Sequence, residues 1–145
     1  METSFKIIVP FYNVEKWIKF CIRSIKAQNY KNYKVILVND ESNDGTVDII
    51  KKEIQDNDKF SLMHAGKNGG ALNSTFLGIL EANPEDEDVI IVLDGDDWLA
   101  NKDVFNILNT TYLQNKCLMT YGSYMEYPSK TRGKFSRQLP DTIVK

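Results

Sequence analysis

The sequence predicts an α/β fold in which a mostly parallel sheet carries helices on both faces. Three observations predict it. Short apolar runs alternate along the chain with longer stretches of helical period, in the order β-α-β-α-β-α-β. Each run ends in a polar loop, so residues 10–13, 40–44, 66–70 and 94–97 should converge on one edge of the sheet. The strongest run, Val89-Ile90-Ile91-Val92-Leu93, leads straight into Asp94-Gly95-Asp96-Asp97.

Each element has its own justification. Residues 5–9 (FKIIV) are a short strand that Pro10 stops. Asn13 stands where a helix N-cap is expected. After it Val14, Trp17, Ile18, Cys21, Ile22 and Ile25 recur at helical spacing, with Glu15, Lys16, Lys19 and Arg23 between them. That spacing predicts an amphipathic helix ending near Gln28, with Trp17 on its core face. Residues 35–38 (VILV) are a second buried strand. Residues 41–46 (ESNDGT) are a turn of cap-forming and angle-tolerant residues. Val47, Ile50 and Ile54 mark one face of a second helix, and residues 59–65 a third strand. Ala71, Leu72, Thr75, Phe76, Ile79 and Leu80 predict a third helix with a continuous apolar face. An acidic connector, residues 83–88, enters the 89–93 run, whose unbroken apolar character predicts a central strand buried on both faces. Asn101 can cap a helix carrying Val104, Phe105 and Leu108. Residues 117–124 (CLMTYGSY) predict a fifth strand, and the basic segment from Pro128 onward has no period.

Composition bounds the rest. A chain of 145 residues is one domain by size, with no internal repeat. Hydrophobic content of 42% and charged content of 26% exclude a disordered chain. No apolar run approaches the roughly 20 residues of a membrane span. A net charge of −2 argues against a nucleic-acid binder. Cys21 and Cys117 match no metal spacing and read as small core residues of a reducing compartment, so a cytoplasmic location is expected. The strand-like run near the N-terminus leaves no room for a signal peptide.

The loops carry the chemistry. Two carboxylates about 4 Å apart repel by roughly 4 kcal/mol at an effective dielectric near 20. Asp94, Asp96 and Asp97 therefore form either a solvated turn or a site for a hard cation such as Mg²⁺ or Mn²⁺. A diphosphate-bearing nucleotide bound with that metal suits such an edge. Asp40 could accept from a base N–H or a ribose hydroxyl, and Asp94 and Asp96 could hold ribose or metal. Gly69 and Gly70 let backbone approach a ligand, their step into a helix offers free N–H groups to an anion, and Lys67 adds a charge.

These segments resemble the nucleotide-sugar-binding part of a family-two, GT-A-fold glycosyltransferase. IIVPFYNVEKWIKFCIRSI resembles that family's first strand, loop and helix. VILVNDESNDGT resembles its second strand and Asp-Asp-x-Ser-x-Asp-x-Thr turn. KNGG…GI resembles its Asn-x-Gly…Gly-Ile segment, and VLDGDDWL its Asp-x-Asp (DXD) motif. The likeness covers about residues 5–125. It implies a Rossmann-like three-layer α/β/α domain that transfers a sugar, with inversion, from a nucleoside-diphosphate sugar to an acceptor hydroxyl. The expected donor is a UDP-sugar. By this resemblance Pro10 and Tyr12 lie against the base, Asp40 binds it, and Asp94 sits near the ribose. Asp96, with Asp94, binds Mn²⁺ or Mg²⁺, and Asp97 orients the loop or approaches the sugar. Lys67, Asn68, Gly70 and Gly95 complete the donor set. A single domain spans residues 1–145, with residues 126–145 a loop or a truncated acceptor-side segment.

Three departures from the family pattern stand out. Asn39 replaces the first Asp of the usual pair. Ser74-Thr75-Phe76 stands where the family has Ala-Arg-Asn. Glu126 and Asp141, the carboxylates nearest the C-terminus, match no motif, so the catalytic base is expected beyond Lys145. A nucleotide-sugar-binding module without that base is therefore an alternative. A phosphoacceptor receiver-like domain, with Asp94 phosphorylated, is a remote one. The bland readings are a structural or solvent role for His64, the only histidine, and a solvated loop for the basic tail. Trp98 either packs under the carboxylate loop or lines the sugar pocket.

Overall fold

A computed structural model describes residues 2–115 and 117–133. The chain divides between Asn115 and Lys116 into two compact units. In the first, four parallel strands stand in the order β3-β2-β1-β4. They are β1 (Phe5–Phe11), β2 (Tyr33–Asn39), β3 (Phe60–His64) and β4 (Val89–Val92), linked through α1 (Ile18–Lys26), α2 (Thr46–Ile54) and α3 (Ala71–Ala82). A fourth helix, α4 (Val104–Asn115), follows the carboxylate loop. The layers are those of an α/β/α sandwich.

Alternation along β1 and β2 assigns the two cores. Ile7, Val9, Val35 and Leu37 face Ile18, Cys21, Ile22 and Ile25 of α1, Ile50 of α2 and Phe105 of α4, all of them fully buried. Each such side chain contributes roughly 1.5–3 kcal/mol. Ile8, Ile36 and Val38 face the other way, against Ile79 and Ala82 of α3. Phe105 packs on Phe5 at 5.6 Å and edge-on to Tyr33 at 5.4 Å. Buried Gln28 ties α1 to α4: its Nε2 donates to the Asn101 carbonyl at 2.6 Å and its Oε1 accepts from the Phe105 N–H at 3.2 Å.

The structure corrects several sequence expectations. β4 is an edge strand, not a central one: it pairs only with β1 among the described residues, and Val92 is half-exposed. The inner strands are β2 and β1, and every residue of β1 except Lys6 is buried. Helix α3 turns its small residues inward. Ser74 and Gly78 are buried, while Leu72, Phe76 and Leu80 are exposed. The reason is distance: a Cβ on Gly78 would lie 2.5 Å from Ile8 Cγ2 and 2.9 Å from Val38 Cγ2, so the helix sits too close to the sheet for larger residues. Asn13 is no N-cap; it lies at φ +51°, and α1 begins five residues later. Trp17 is not core but about one-third exposed.

In the second unit, residues 117–124 form no strand. A two-residue antiparallel ladder, β5 (Met125–Glu126) with β6 (Thr131–Arg132), takes its place. The turn between them is closed by the Lys130 N–H donating to the Glu126 carbonyl, with Lys130 at φ +56°. Most of residues 118–124 are exposed, so their apolar character serves no sheet core. The expected basic tail lies largely outside the described residues.

Candidate functional site

Strand register builds the site. Phe11, Asn39 and His64 stand in one row at the C-terminal ends of β1, β2 and β3. β4 stops lower, with Val92 opposite Ile8. The chain then continues alongside β1, the Leu93 N–H donating to the Ile8 carbonyl and the Gly95 N–H to the Pro10 carbonyl. This carries the Asp94–Asp97 loop up to the same edge. Gly95 is required there: a Cβ would meet Phe11 Cβ at 2.6 Å.

The result is a cleft of about 180 Å³ lined by Pro10, Phe11, Tyr12, Val14, Asp40, Ala71, Asp94, Gly95 and Asp96. Whole-ligand pockets run to roughly 300–1,000 Å³, so this cleft accommodates one portion of a large ligand. Six expected site residues therefore meet on its wall: Pro10, Tyr12, Asp40, Asp94, Gly95 and Asp96. Lys67, Asn68 and Gly70 do not line it, nor do Asp97 and Trp98. Phe11, Val14 and Ala71 do, and no chemical signal in the sequence marks them.

Asp40 is almost fully buried at the end of β2. Its Oδ1 accepts from the Gly69 N–H and the Ser74 hydroxyl, both at 3.0 Å, and its Oδ2 accepts from the Gly70 N–H at 2.8 Å. The N–H groups of Gly69 and Gly70 are thus not free for an anion. They already hold one, and that carboxylate caps the start of α3. Neighbouring Glu41, at φ +64°, accepts from the Asn68 N–H at 3.2 Å. The Gly-rich loop is therefore pinned by two consecutive acids. Gly70 sits at φ +82°, open to glycine at little cost.

A second network was not legible in the sequence. Residues 13–15 and 42–46 are zipped together. The Asn13 N–H donates to Ser42 Oγ, and the Asn43 N–H to Asn13 Oδ1. The Val14 N–H donates to Thr46 Oγ1, the Glu15 N–H to Asp44 Oδ2, and the Gly45 N–H to Glu15 Oε2. The polar ESNDGT turn thus orders the neighbouring loop that carries Tyr12 and Val14. Desolvation raises Asp44, but bonds from the Thr46 hydroxyl and the Thr46 and Glu15 amides outweigh it and hold the carboxyl below its ordinary range.

Asn39, the departure from a paired acid, has a clear local use. Its Oδ1 accepts from the Ser42 N–H at 2.9 Å and its Nδ2 meets His64 Nδ1 at 3.0 Å. An amide supplies both a donor and an acceptor, which a carboxylate does not. His64 is accordingly a structural partner of β2.

Asp94 and Asp97 are pushed above the ordinary carboxylate range, first by lost hydration and then by Asp96, with Asp94 adding to Asp97. Buried Cys21, whose thiol points at the Asp94 carbonyl at 3.8 Å, is pushed up to about 12 by burial and then by the same three acids. It is an inert core thiol. Crowded carboxylates are the donor set that a hard divalent cation relieves. Among the described residues, no three or more His, Cys, Asp or Glu side chains gather into a metal-holding group.

Comparison with known proteins places this geometry. The profile described as Glycosyl transferase family 2 matches residues 6–142. An uncharacterized glycosyltransferase of Haemophilus influenzae is 35% identical over 118 residues, covering 81% of this chain and 46% of that protein. Glycosyltransferase GlyG of Streptococcus pneumoniae is 28% identical over 130 residues, covering 88% and 41%. The chain thus spans less than half the length of these relatives. Among solved structures, S. aureus TarS 1–349 in complex with UDP-GlcNAc superposes with a TM-score of 0.71 at 22% identity, covering 95% of this chain and 37% of that one. Mannosyltransferase PcManGT from Pyrobaculum calidifontis, in complex with GDP-Man and Mn²⁺, gives 0.67 at 18% identity, covering 86% and 35%. At those identities the likeness is one of fold.

Proposed function

We propose, from the premise that this chain belongs to glycosyl transferase family 2, that its cleft is the donor side of a sugar-transfer site and takes a nucleoside-diphosphate sugar. The carrying observation is the convergence of three strand-end loops and the first residue of α3 on one cleft, where buried Asp40 meets Asp94 and Asp96. UDP is the preferred nucleotide. Pro10, Tyr12 and Val14 supply an apolar wall for the base. Asp40 has one acceptor position left after its three bonds, and offers it to a base N–H. Asp94 receives a ribose hydroxyl. Asp97, outside the cleft wall, orients the loop or approaches the sugar. Lys67, Asn68 and Gly70 act on the donor through the pinned loop that Asp40 holds.

Asp96 and Asp94 would hold Mn²⁺ or Mg²⁺, which, when bound, offsets the charge of the diphosphate and of its leaving group. The reading implies inversion: the acceptor oxygen forms its bond to the anomeric carbon as the bond to the diphosphate breaks, and a general base takes the acceptor proton. None of the cleft residues is assigned that base. The acceptor is a hydroxyl-bearing molecule. A donor-binding module without turnover is the second reading, favoured by a cleft whose lining carboxylates, Asp40, Asp94 and Asp96, are all assigned to the donor and its metal.

Calorimetry with UDP, UDP-GlcNAc and GDP-mannose, each with and without Mn²⁺, tests the proposal. Saturable, metal-enhanced binding of a uridine donor that is lost in Asp96→Ala supports it. Equal indifference to all three nucleotides overturns it. Donor hydrolysis or transfer by the same preparation separates the enzyme from the binding module.

A further inference from the structure

Three aromatic rings are partly exposed at the surface beside α1. Trp17, in the turn before the helix, is 37% exposed, Phe20 54% and Trp98 36%. They form one cluster. Trp17 stacks on Trp98 at 6.2 Å with 25° between the planes, and Phe20 lies 5.6 Å from Trp98 and 6.5 Å from Trp17. The cluster sits on a rigid base, since the Leu99 N–H donates to Ser24 Oγ of α1 at 3.0 Å. Three large rings held together at a surface mark an interaction site rather than scattered exposure.

Charge indicates what meets them. Lys19, Arg23 and Lys26 are exposed on the face of α1 away from the core, and Lys16 is exposed in the turn before it. Among the described residues Glu53 is the one acid paired with them, to Lys19 at 3.6 Å and Arg23 at 3.0 Å, while Lys26 donates to the Glu53 backbone carbonyl. Glu15 is turned away to the Gly45 N–H. Asp97, beside Trp98, stands at the border, and Asp94 and Asp96 belong to the cleft. An aromatic flank beside a basic flank is complementary to the interface of an anionic bilayer. There indole and phenyl rings seat at headgroup depth and cations meet lipid phosphates.

The geometry points to a peripheral docking face, built from Trp17, Phe20 and Trp98 with Lys16, Lys19, Arg23 and Lys26, that binds an anionic lipid surface. Docking through it leaves the chain bound on a membrane, not spanning it. The inference stands independently of the donor assignment.

The chain's two tryptophans both lie in this face, so intrinsic emission reports on it without a label. The 145-residue chain is titrated with phosphatidylcholine vesicles, with and without one third phosphatidylglycerol. The expected result is a blue shift, quenching by brominated acyl chains and co-sedimentation, all requiring the anionic lipid and weakening with salt. Phe20→Ser and Lys16→Glu, both at exposed positions, each lower partitioning by roughly tenfold while circular dichroism stays unchanged. Four results overturn the proposal: no partitioning, partitioning indifferent to both variants, a blue shift that grows with protein concentration without lipid, and saturable quenching by soluble methyl glycosides in place of vesicles. The third would mean self-association and the fourth a sugar platform. Calorimetry with UDP on the same preparation reports separately on the donor cleft.

Discussion

Replacing Asp40 should unfold the chain more easily as well as abolish donor binding. The side chain is buried and accepts three hydrogen bonds, from the Gly69 and Gly70 amides and from the Ser74 hydroxyl. Bonds to a charged group are worth about 1.5–3 kcal/mol each. Gly69 is exposed, so its amide recovers water in the variant; the Ser74 hydroxyl is fully buried and does not. Discounting for that recovery leaves about 3 kcal/mol for Asp40→Ala, or about 6–12 °C in Tm for a chain of this size. Asp40→Asn should cost less, about 1–2 kcal/mol, because one oxygen still accepts while an NH₂ group faces the Gly70 N–H. Urea unfolding followed by circular dichroism gives both values, with an unchanged m-value confirming that the native state keeps its compactness. Hydrogen exchange at Gly69 and Gly70 should rise in parallel. If Asp40→Ala unfolds within about 0.5 kcal/mol of the parent, the side chain does not organise the loop, and its role is ligand contact alone.

Gly78→Ala should destabilise by about 1–2 kcal/mol in thermal denaturation, against helix propensity. The added Cβ falls 2.5 Å from Ile8 Cγ2, and overpacking of about 1–3 kcal/mol exceeds the roughly 1 kcal/mol by which Ala is the better helix former. A stabilised variant would refute the close approach of α3. Asp44→Asn should flatten the acid side of the stability profile. The folded carboxyl lies below its ordinary range, so the unfolded chain binds more protons. The contribution is then complete above the unfolded pKa of about 3.9 and lost as pH falls through the folded value. Tm measured from about pH 5 down to pH 2 should fall more gently in the variant; parallel curves would refute the zipped-loop account.

Local pattern was enough for the elements and for most of the site. Short apolar runs and period 3.6 predict β1, β2, β3, α2 and α4, and the loops at strand ends predict that Pro10, Tyr12, Asp40, Asp94, Gly95 and Asp96 meet. The misses share a cause. An apolar run says that a segment has something to bury, not which neighbour covers it. Val89–Val92 thus reads as central but lies at the edge. Leu72, Phe76 and Leu80 read as the buried face of α3, yet the close approach at Gly78 turns small residues inward. Trp17 fits the helical period of α1, but its partner is Trp98, 81 residues away.

What the amino-acid order determined by itself is a parallel α/β chain whose acids and glycines lie at strand C-termini. That follows from chain geometry: a strand of given period delivers its last residues to a known edge. Only the tertiary structure decided what those groups do there. Asp40 meets Gly69, Gly70 and Ser74 across 29 to 34 residues of chain, and Asn39 meets His64 across 25. Hydrogen-bonding capacity is written in each residue, but the partner that uses it is set by strand order and register. The same carboxylate that reads as a ligand contact is, in the folded chain, first the anchor of a loop.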